Sequence, residues 1–175
     1  QHSQWINKLE NIQNETETTK EIVYNLSYTQ KENSLYKDVI SKLSKNPTSI
    51  KIIAPYYNRS GAFLQRLIDD LIPLEMHCVV DITNGLLPVD FKSNKSQFSD
   101  WGNVIKDGNS KSIRRLHAKM IQIEYKDKTI FILGSANATL EAYGISNRAF
   151  TNDEVVITMK SEKPRDFLKE LGVNI

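Results

Sequence analysis

The 175-residue sequence predicts an α/β fold, a mixed β-sheet flanked by helices, and three observations carry that prediction. Short β-branched runs alternate with stretches whose apolar residues recur at helical spacing. A strand–helix–strand unit between Ile50 and Ile82 calls for a parallel pair joined by a right-handed crossover. Two later apolar runs, Leu116 to Tyr125 and Thr129 to Leu133, are separated only by Lys126-Asp127-Lys128 and read as an antiparallel hairpin. A sheet that contains both kinds of connection is mixed.

Taken in order, residues 1–20 form a polar N-terminal extension in which Trp5, Ile6, Leu9 and Ile12 fall at the spacing of a short amphipathic helix; the domain itself is assigned to 21–175. Ile22 to Leu26 reads as a short strand. From Ser34, a candidate N-cap, Leu35, Tyr36, Val39, Ile40 and Leu43 trace one helical face, and Pro47 closes that region. The strand Ile50 to Ala54 follows, then a helix capped by Ser60, built on Phe63, Leu64, Leu67, Ile68 and Leu71, and stopped by Pro73. Tyr56, Tyr57, Asn58 and Arg59 lie in the loop between this strand and helix, where α/β folds place ligand contacts. One of the two tyrosines is expected in the core, and stacking on a base is the alternative use.

Met76 to Ile82 is the next strand, with His77 assigned a structural role. Residues 84–112 are turn-rich and irregular, anchored by Trp101 and Val104-Ile105, and suit either a specificity loop or plain connection. After the hairpin, Thr139 to Tyr143 reads as a short helix with Thr139 as cap and Gly144 as its end, and 146–152 as a loop. Glu154 to Met159 is a strand, and Pro164 and Gly172 frame a last helix carrying Phe167, Leu168 and Leu171.

The hairpin concentrates the chemistry. Period two sends His117, Lys119, Ile121 and Ile123 to one face and Ala118, Met120 and Gln122 to the other. A turn centred on Lys126 and Asp127 sets His117 opposite Ala136 and Lys119 opposite Gly134, so Ser135 and Asn137 flank the histidine. Gly134, with no side chain to block a ligand, has the usual meaning of a strand-end glycine, a bulge or a close backbone approach. One phosphate could touch the imidazole, the ammonium, the hydroxyl and the amide together. Imidazole serves as nucleophile or as general acid and base. A lysine and an amide can hold the equatorial oxygens of a phosphoryl group in its transition state, so this chemistry needs neither metal nor cofactor.

His117-x-Lys119 followed by Gly134-Ser135-x-Asn137 resembles the signature of the phospholipase D superfamily, whose members include phosphatidyl hydrolases, bacterial nucleases and metal-independent restriction endonucleases. Ile50 to Leu71 resembles the first core strand, active-site loop and helix of its nuclease-like branch, and Asn152-Asp153-Glu154-Val155-Val156 its acidic strand after the motif. The resemblance implies a phospholipase D-like α/β sandwich and a hydrolase. It also implies His117 as nucleophile, Lys119 and Asn137 as phosphate ligands, Ser135 as support, and Glu154 orienting or charge-balancing the histidine. The family's aspartate five residues after the lysine is here Glu124, on the strand face opposite His117 and about 23 Å from it, and we read it as structural. The interval from Glu124 to Gly134 is longer than in the commonest form of the motif. The chain holds one copy where the family builds a site from two, which implies a homodimer. Similar single-motif domains occur in bacterial restriction and defence proteins, beside a helicase-like ATPase or a DNA-recognition domain.

Composition bounds the partners. A net charge of +2 does not announce a nucleic-acid binder, but five basic residues, Lys106, Lys111, Arg114, Arg115 and Lys119, stand against Asp107 alone beside the site. Together with Asn58 and Arg59, Arg114 and Arg115 are the expected substrate-binding residues, with a solvated lysine-rich loop as the alternative for this segment. Cys78 is the single cysteine, within an apolar run, so an internal disulfide is excluded and burial is expected. No apolar run of about 18 residues and no leader is present, so the expectation is a cytoplasmic protein without a membrane partner. The chain opens on Gln1, as a domain cut from a longer protein would. The expected function is a metal-independent phosphodiesterase, a nuclease acting on DNA or RNA through a phosphohistidine shared across a homodimer. A phospholipid phosphodiesterase with the same site, and a catalytically silent dimerisation or nucleic-acid-binding module, stay open as alternatives.

Overall fold

A computed structural model describes residues 22–28, 34–104, 115–145, 153–173 and 175. The expected N-terminal helix, Lys106, Lys111, Arg114, Asn152 and the 146–152 loop lie outside the described residues.

The sheet grows from β2 (Ser49–Ile53), whose Ile50, Ile52 and Ile53 are buried on both faces, as a central strand requires. Ile50 and Ile52 point into one apolar cluster and Ile53 into a second on the opposite face. β2 runs parallel to β3 (Glu75–Val80) and antiparallel to β5 (Met120–Glu124), so the sheet is mixed as expected. The helix between β2 and β3, α2 (Ala62–Leu71), buries Phe63, Leu64, Leu67 and Leu71, an amphipathic stripe laid on the Ile50/Ile52 face. Its N-cap is Gly61 rather than Ser60. The backbone there takes φ +67°, and a Cβ would run into the Phe91 side chain, so glycine fills a position no serine cap could.

β5 pairs with β6 (Thr129–Gly134) in the register set by the turn at Lys126 and Asp127: Met120 faces Leu133 and Glu124 faces Thr129. β5 begins at Met120 rather than at Leu116, but Gly134 N–H still donates to Lys119 O at 3.2 Å. β7 (Val155–Ser161) follows β6, and β1 (Ile22–Tyr28) closes that edge, pairing antiparallel with β7. The order across the described sheet is β1-β7-β6-β5-β2-β3-β4.

The irregular stretch after residue 84 contains β4 (Ser96–Asp100), parallel to β3, which the sequence did not reveal. A polar, half-exposed edge strand has no apolar alternation to read. His77, as expected, is structural: its Nε2 lies 2.7 Å from Ser99 Oγ across the β3–β4 pair, and burial lowers its pKa.

The helices around the sheet are shorter than their patterns suggested. α1 (Tyr36–Ile40) is one π-type turn, closed by Ser41 N–H on Tyr36 O at 2.9 Å, with Ser34 Oγ accepting the Lys37 N–H. Residues 139–143 form turns rather than a regular helix, although Thr139 Oγ1 does cap them through Ala142 N–H and Gly144 (φ +71°) ends them. α3 (Trp101–Val104) and α4 (Phe167–Glu170) lie on the second face, and α4 is capped by Asp166 instead of beginning at Pro164. Cys78 is fully buried, and burial pushes its thiol pKa up.

Candidate active site

The exits of β2, β3 and β6 and the entries of β5 and β7 lie at the same end of the sheet. An open cleft of about 490 Å³ lies there, lined by Tyr56, His117, Lys119, Gly134, Ser135 and Asn137. The hairpin register accounts for the convergence, because the entry of β5 and the exit of β6 are the same end of one ladder.

His117 is exposed, whereas its neighbour Leu116 is buried in the second core cluster. That anchoring is reinforced by Asp81, a residue sequence reading did not single out. Asp81 is 6 % exposed at the exit of β3, and its Oδ2 accepts the Leu116 N–H at 3.1 Å. Its Oδ1 accepts the backbone N–H groups of Thr83 and Asn84 at 3.1 and 2.8 Å. Burial alone would raise its pKa, but the amides of Asn84, Leu116 and Thr83 outweigh it and hold the carboxyl below the ordinary value of 3.8.

The Lys119 ammonium donates to His117 O at 2.9 Å and stands 3.4 Å from His117 Nδ1. A protonated lysine can only donate, so this arrangement suits a neutral imidazole. Partial burial lowers the Lys119 pKa below 10.5, and the charge on Glu154 opposes that shift.

Gly134 allows β7 to approach: a Cβ would run into the Val155 carbonyl and lie 2.7 Å from Val156 Cα. The close backbone approach is that of the neighbouring strand. Ser135 then binds the entry of β7 through backbone and side chain, its N–H donating to Val155 O at 2.9 Å and its Oγ accepting the Val155 N–H at 3.0 Å. The Ser135 hydroxyl donates to Glu154, which is 7 % exposed. Glu154 therefore sits beneath Ser135 with its charge felt at Lys119 and at the buried Tyr143. Asn137 lines the cleft, and its Oδ1 is buried with no partner among the described residues.

The expected substrate-binding residues divide. Arg115 reaches the site, donating from Nη2 to the Tyr56 hydroxyl at 2.9 Å. Asn58 does not line the cleft; it bridges Glu141 Oε2 and Leu140 N–H, each at 2.9 Å, and so fastens the segment after Asn137. Arg59 pairs with Asp90 in solvent at 3.2 Å, also away from the cleft. Glu124 lies on the opposite face and at the far end of β5, paired with Lys51 at 2.8 Å in a cluster with Asp166 and Gln122. Of the tyrosine pair, Tyr57 is the core residue, donating to Val79 O at 2.9 Å, and Tyr56 the cleft residue.

No family model and no curated protein matches the chain. Solved structures do. A mutant form of yeast tyrosyl-DNA phosphodiesterase 1 superposes with a TM-score of 0.50 at 10 % identity, over 77 % of this chain and 31 % of that one. The yeast tyrosyl-DNA phosphodiesterase gives 0.49 at 11 % identity over the same shares. NucT from Helicobacter pylori gives 0.47 at 16 % identity, over 78 % of this chain and 85 % of that one. The chain thus spans about a third of the length of the yeast structures it matches. The seven-stranded mixed sheet of the described residues, with its flanking helices, has the fold of that yeast tyrosyl-DNA phosphodiesterase 1 structure.

Proposed function

We propose that this chain is a metal-independent phosphodiesterase that hydrolyses nucleic acid through a phosphohistidine at His117. The observation that carries the reading is the convergence of His117, Lys119, Ser135 and Asn137 on one cleft. The fold it shares with a DNA phosphodiesterase supports the same class of substrate.

In this reading a phosphodiester enters with its non-bridging oxygens toward Lys119 and Asn137. The ammonium turns from His117 onto the phosphate, and the Asn137 NH2 group donates to a non-bridging oxygen. An imidazole nitrogen of His117 attacks phosphorus, a P–N bond forms, and the P–O bond to the leaving group breaks. A second copy of the chain completes the site: the partner subunit's His117, protonated, gives its proton to the departing oxygen. That imidazole then takes a proton from water, the hydroxide attacks phosphorus, and the P–N bond breaks to release the phosphomonoester and restore the first histidine. Charge developing on the phosphoryl oxygens is stabilised by the fixed cation and amide. Ser135 and Glu154 act by fixing the strand ends. A setting in a bacterial restriction or defence protein, beside a helicase-like ATPase or a DNA-recognition domain, is supported by the motif resemblance alone.

The test is cleavage of labelled DNA and RNA in excess EDTA by wild type and His117→Ala, with oligomeric state read by light scattering. Cleavage by a wild-type dimer that persists in EDTA and is lost in the variant is the expected result. A monomer that cleaves at full rate would remove the shared site, and a fully active His117→Ala would remove the nucleophile. Because His117 is exposed, its replacement should leave the melting temperature nearly unchanged.

A further inference from the structure

We propose that Tyr56, steadied by Arg115, is a stacking platform for the nucleobase beside the scissile phosphate, and that the chain therefore acts on single-stranded nucleic acid. The inference rests on the nuclease reading above and deepens it. Among the six described residues that line the cleft, Tyr56 brings the one aromatic ring besides the His117 imidazole; the others are Lys119, Asn137, Ser135 and a glycine. A diester held at His117 shares this cleft with the ring, where one of its two substituents can lie against it.

The ring is held unusually well for a loop residue. Its carbonyl accepts the Ala138 N–H at 3.2 Å, from the segment that carries Asn137. On the other side, the flanking Pro55 carbonyl accepts the Leu86 N–H at 3.0 Å and Tyr57 N–H donates to Leu86 O at 2.9 Å. The next residue, Tyr57, is locked in the core. At the tip, the Arg115 guanidinium, two residues before His117, holds the hydroxyl at 2.9 Å. Backbone clamps on both sides and a tethered tip leave little side-chain entropy to lose when a flat group stacks, which is what makes tyrosine an effective contact surface. Arg115 and Lys119 also put two positive charges beside the ring. A quaternary ammonium head group would be repelled there, whereas a base joined to a phosphate is matched in shape and in charge. A base paired inside a duplex has both faces covered and could not use the platform without being extruded.

A dinucleotide offers one scissile bond and makes the test clean. The probes are dithymidine monophosphate and the two analogues lacking one base, with the uridine counterparts to separate DNA from RNA. Fold is checked by circular dichroism. For wild type, removing the base on one side should lower kcat/KM about tenfold. The ratio should collapse toward one in Tyr56→Ala and survive in Tyr56→Phe, which keeps the ring. Single strands should be cut faster than the same sequence in a duplex. Equal rates on intact and base-lacking dinucleotides in wild type, a ratio that survives Tyr56→Ala, or equal cutting of duplex would overturn the platform while leaving the nuclease reading standing. Failure to cleave any of the nucleotides or strands would take down both.

Discussion

Replacing Asp81 by asparagine exchanges one oxygen for an NH2 group at the point where β3 holds the approach to His117. The two carboxylate oxygens serve different segments, Oδ2 the Leu116 N–H and Oδ1 the Thr83 and Asn84 N–H groups. An asparagine can present its single oxygen to only one of them. Whichever is abandoned, a backbone donor faces another donor, and on the Leu116 side that donor is buried. A hydrogen bond to a charged group contributes about 1.5–3 kcal/mol. At about 2–4 °C per kcal/mol for a chain of this size, the variant should melt roughly 3–12 °C lower near neutral pH. The pH dependence has a definite sign. The folded-state pKa of Asp81 is lowered from 3.8, so its contribution is present above the unfolded value and lost as pH falls through the folded one. The gap between wild type and variant should therefore be full near neutrality and shrink below about pH 4. Calorimetric melts at the two pH values are the assay. Equal melting temperatures at neutral pH, or a gap that stays constant into acid, would refute the reasoning.

Three further outcomes follow from the same geometry. Gly134→Ala should force β6 and β7 apart, because the new methyl meets backbone rather than a yielding side chain; we expect a loss of about 2–4 kcal/mol in chemical denaturation, and activity lost with it. Glu124→Gln should leave the rate of cleavage near that of wild type and lower stability by about 1–2 kcal/mol, since Lys51 keeps Asp166 at 3.3 Å but loses its nearer partner; a folded but inactive variant would show that the far end of β5 matters to catalysis. Burial lowers the Lys119 pKa from 10.5, so the alkaline limb of the pH–rate profile should lie below that value and move upward in Lys119→Arg, whose guanidinium keeps its proton; a limb unchanged by the substitution would assign it to another group.

What could be read from the chain was what obeys a period. The hairpin register followed from a two-residue turn, and with it the meeting of Lys119 with Gly134. Face alternation separated Glu124 from His117 because side chains in a strand cannot change sides without a slip. The contributions that escaped were those made by single atoms across long separations. Asp81 looks like any strand-end carboxylate until Leu116, 35 residues away, is brought to it. Asn58 and Arg59 sit in the loop where ligand contacts belong, and only the folded chain shows Glu141, Leu140 and Asp90 waiting for them. β4 was hidden for another reason: an edge strand paired through its backbone can be polar on both faces, and then carries no pattern.

The strand order has a consequence for biosynthesis. Of the described strands β7 is made last, yet it lies between β6 and β1, and among them β1 pairs only with β7. Until β7 has been made, β1 has no partner among the described strands, and Ser135 has neither the Val155 amide nor the Glu154 carboxylate to hold it. Loop closure between β1 and β7, with every other described strand between them in sequence, must precede completion of the sheet, a pairing of high contact order. Synthesis itself thus imposes a delay on the hydrolytic centre. Limited proteolysis of stalled nascent chains should find β1 protected only once residue 161 has cleared the exit tunnel.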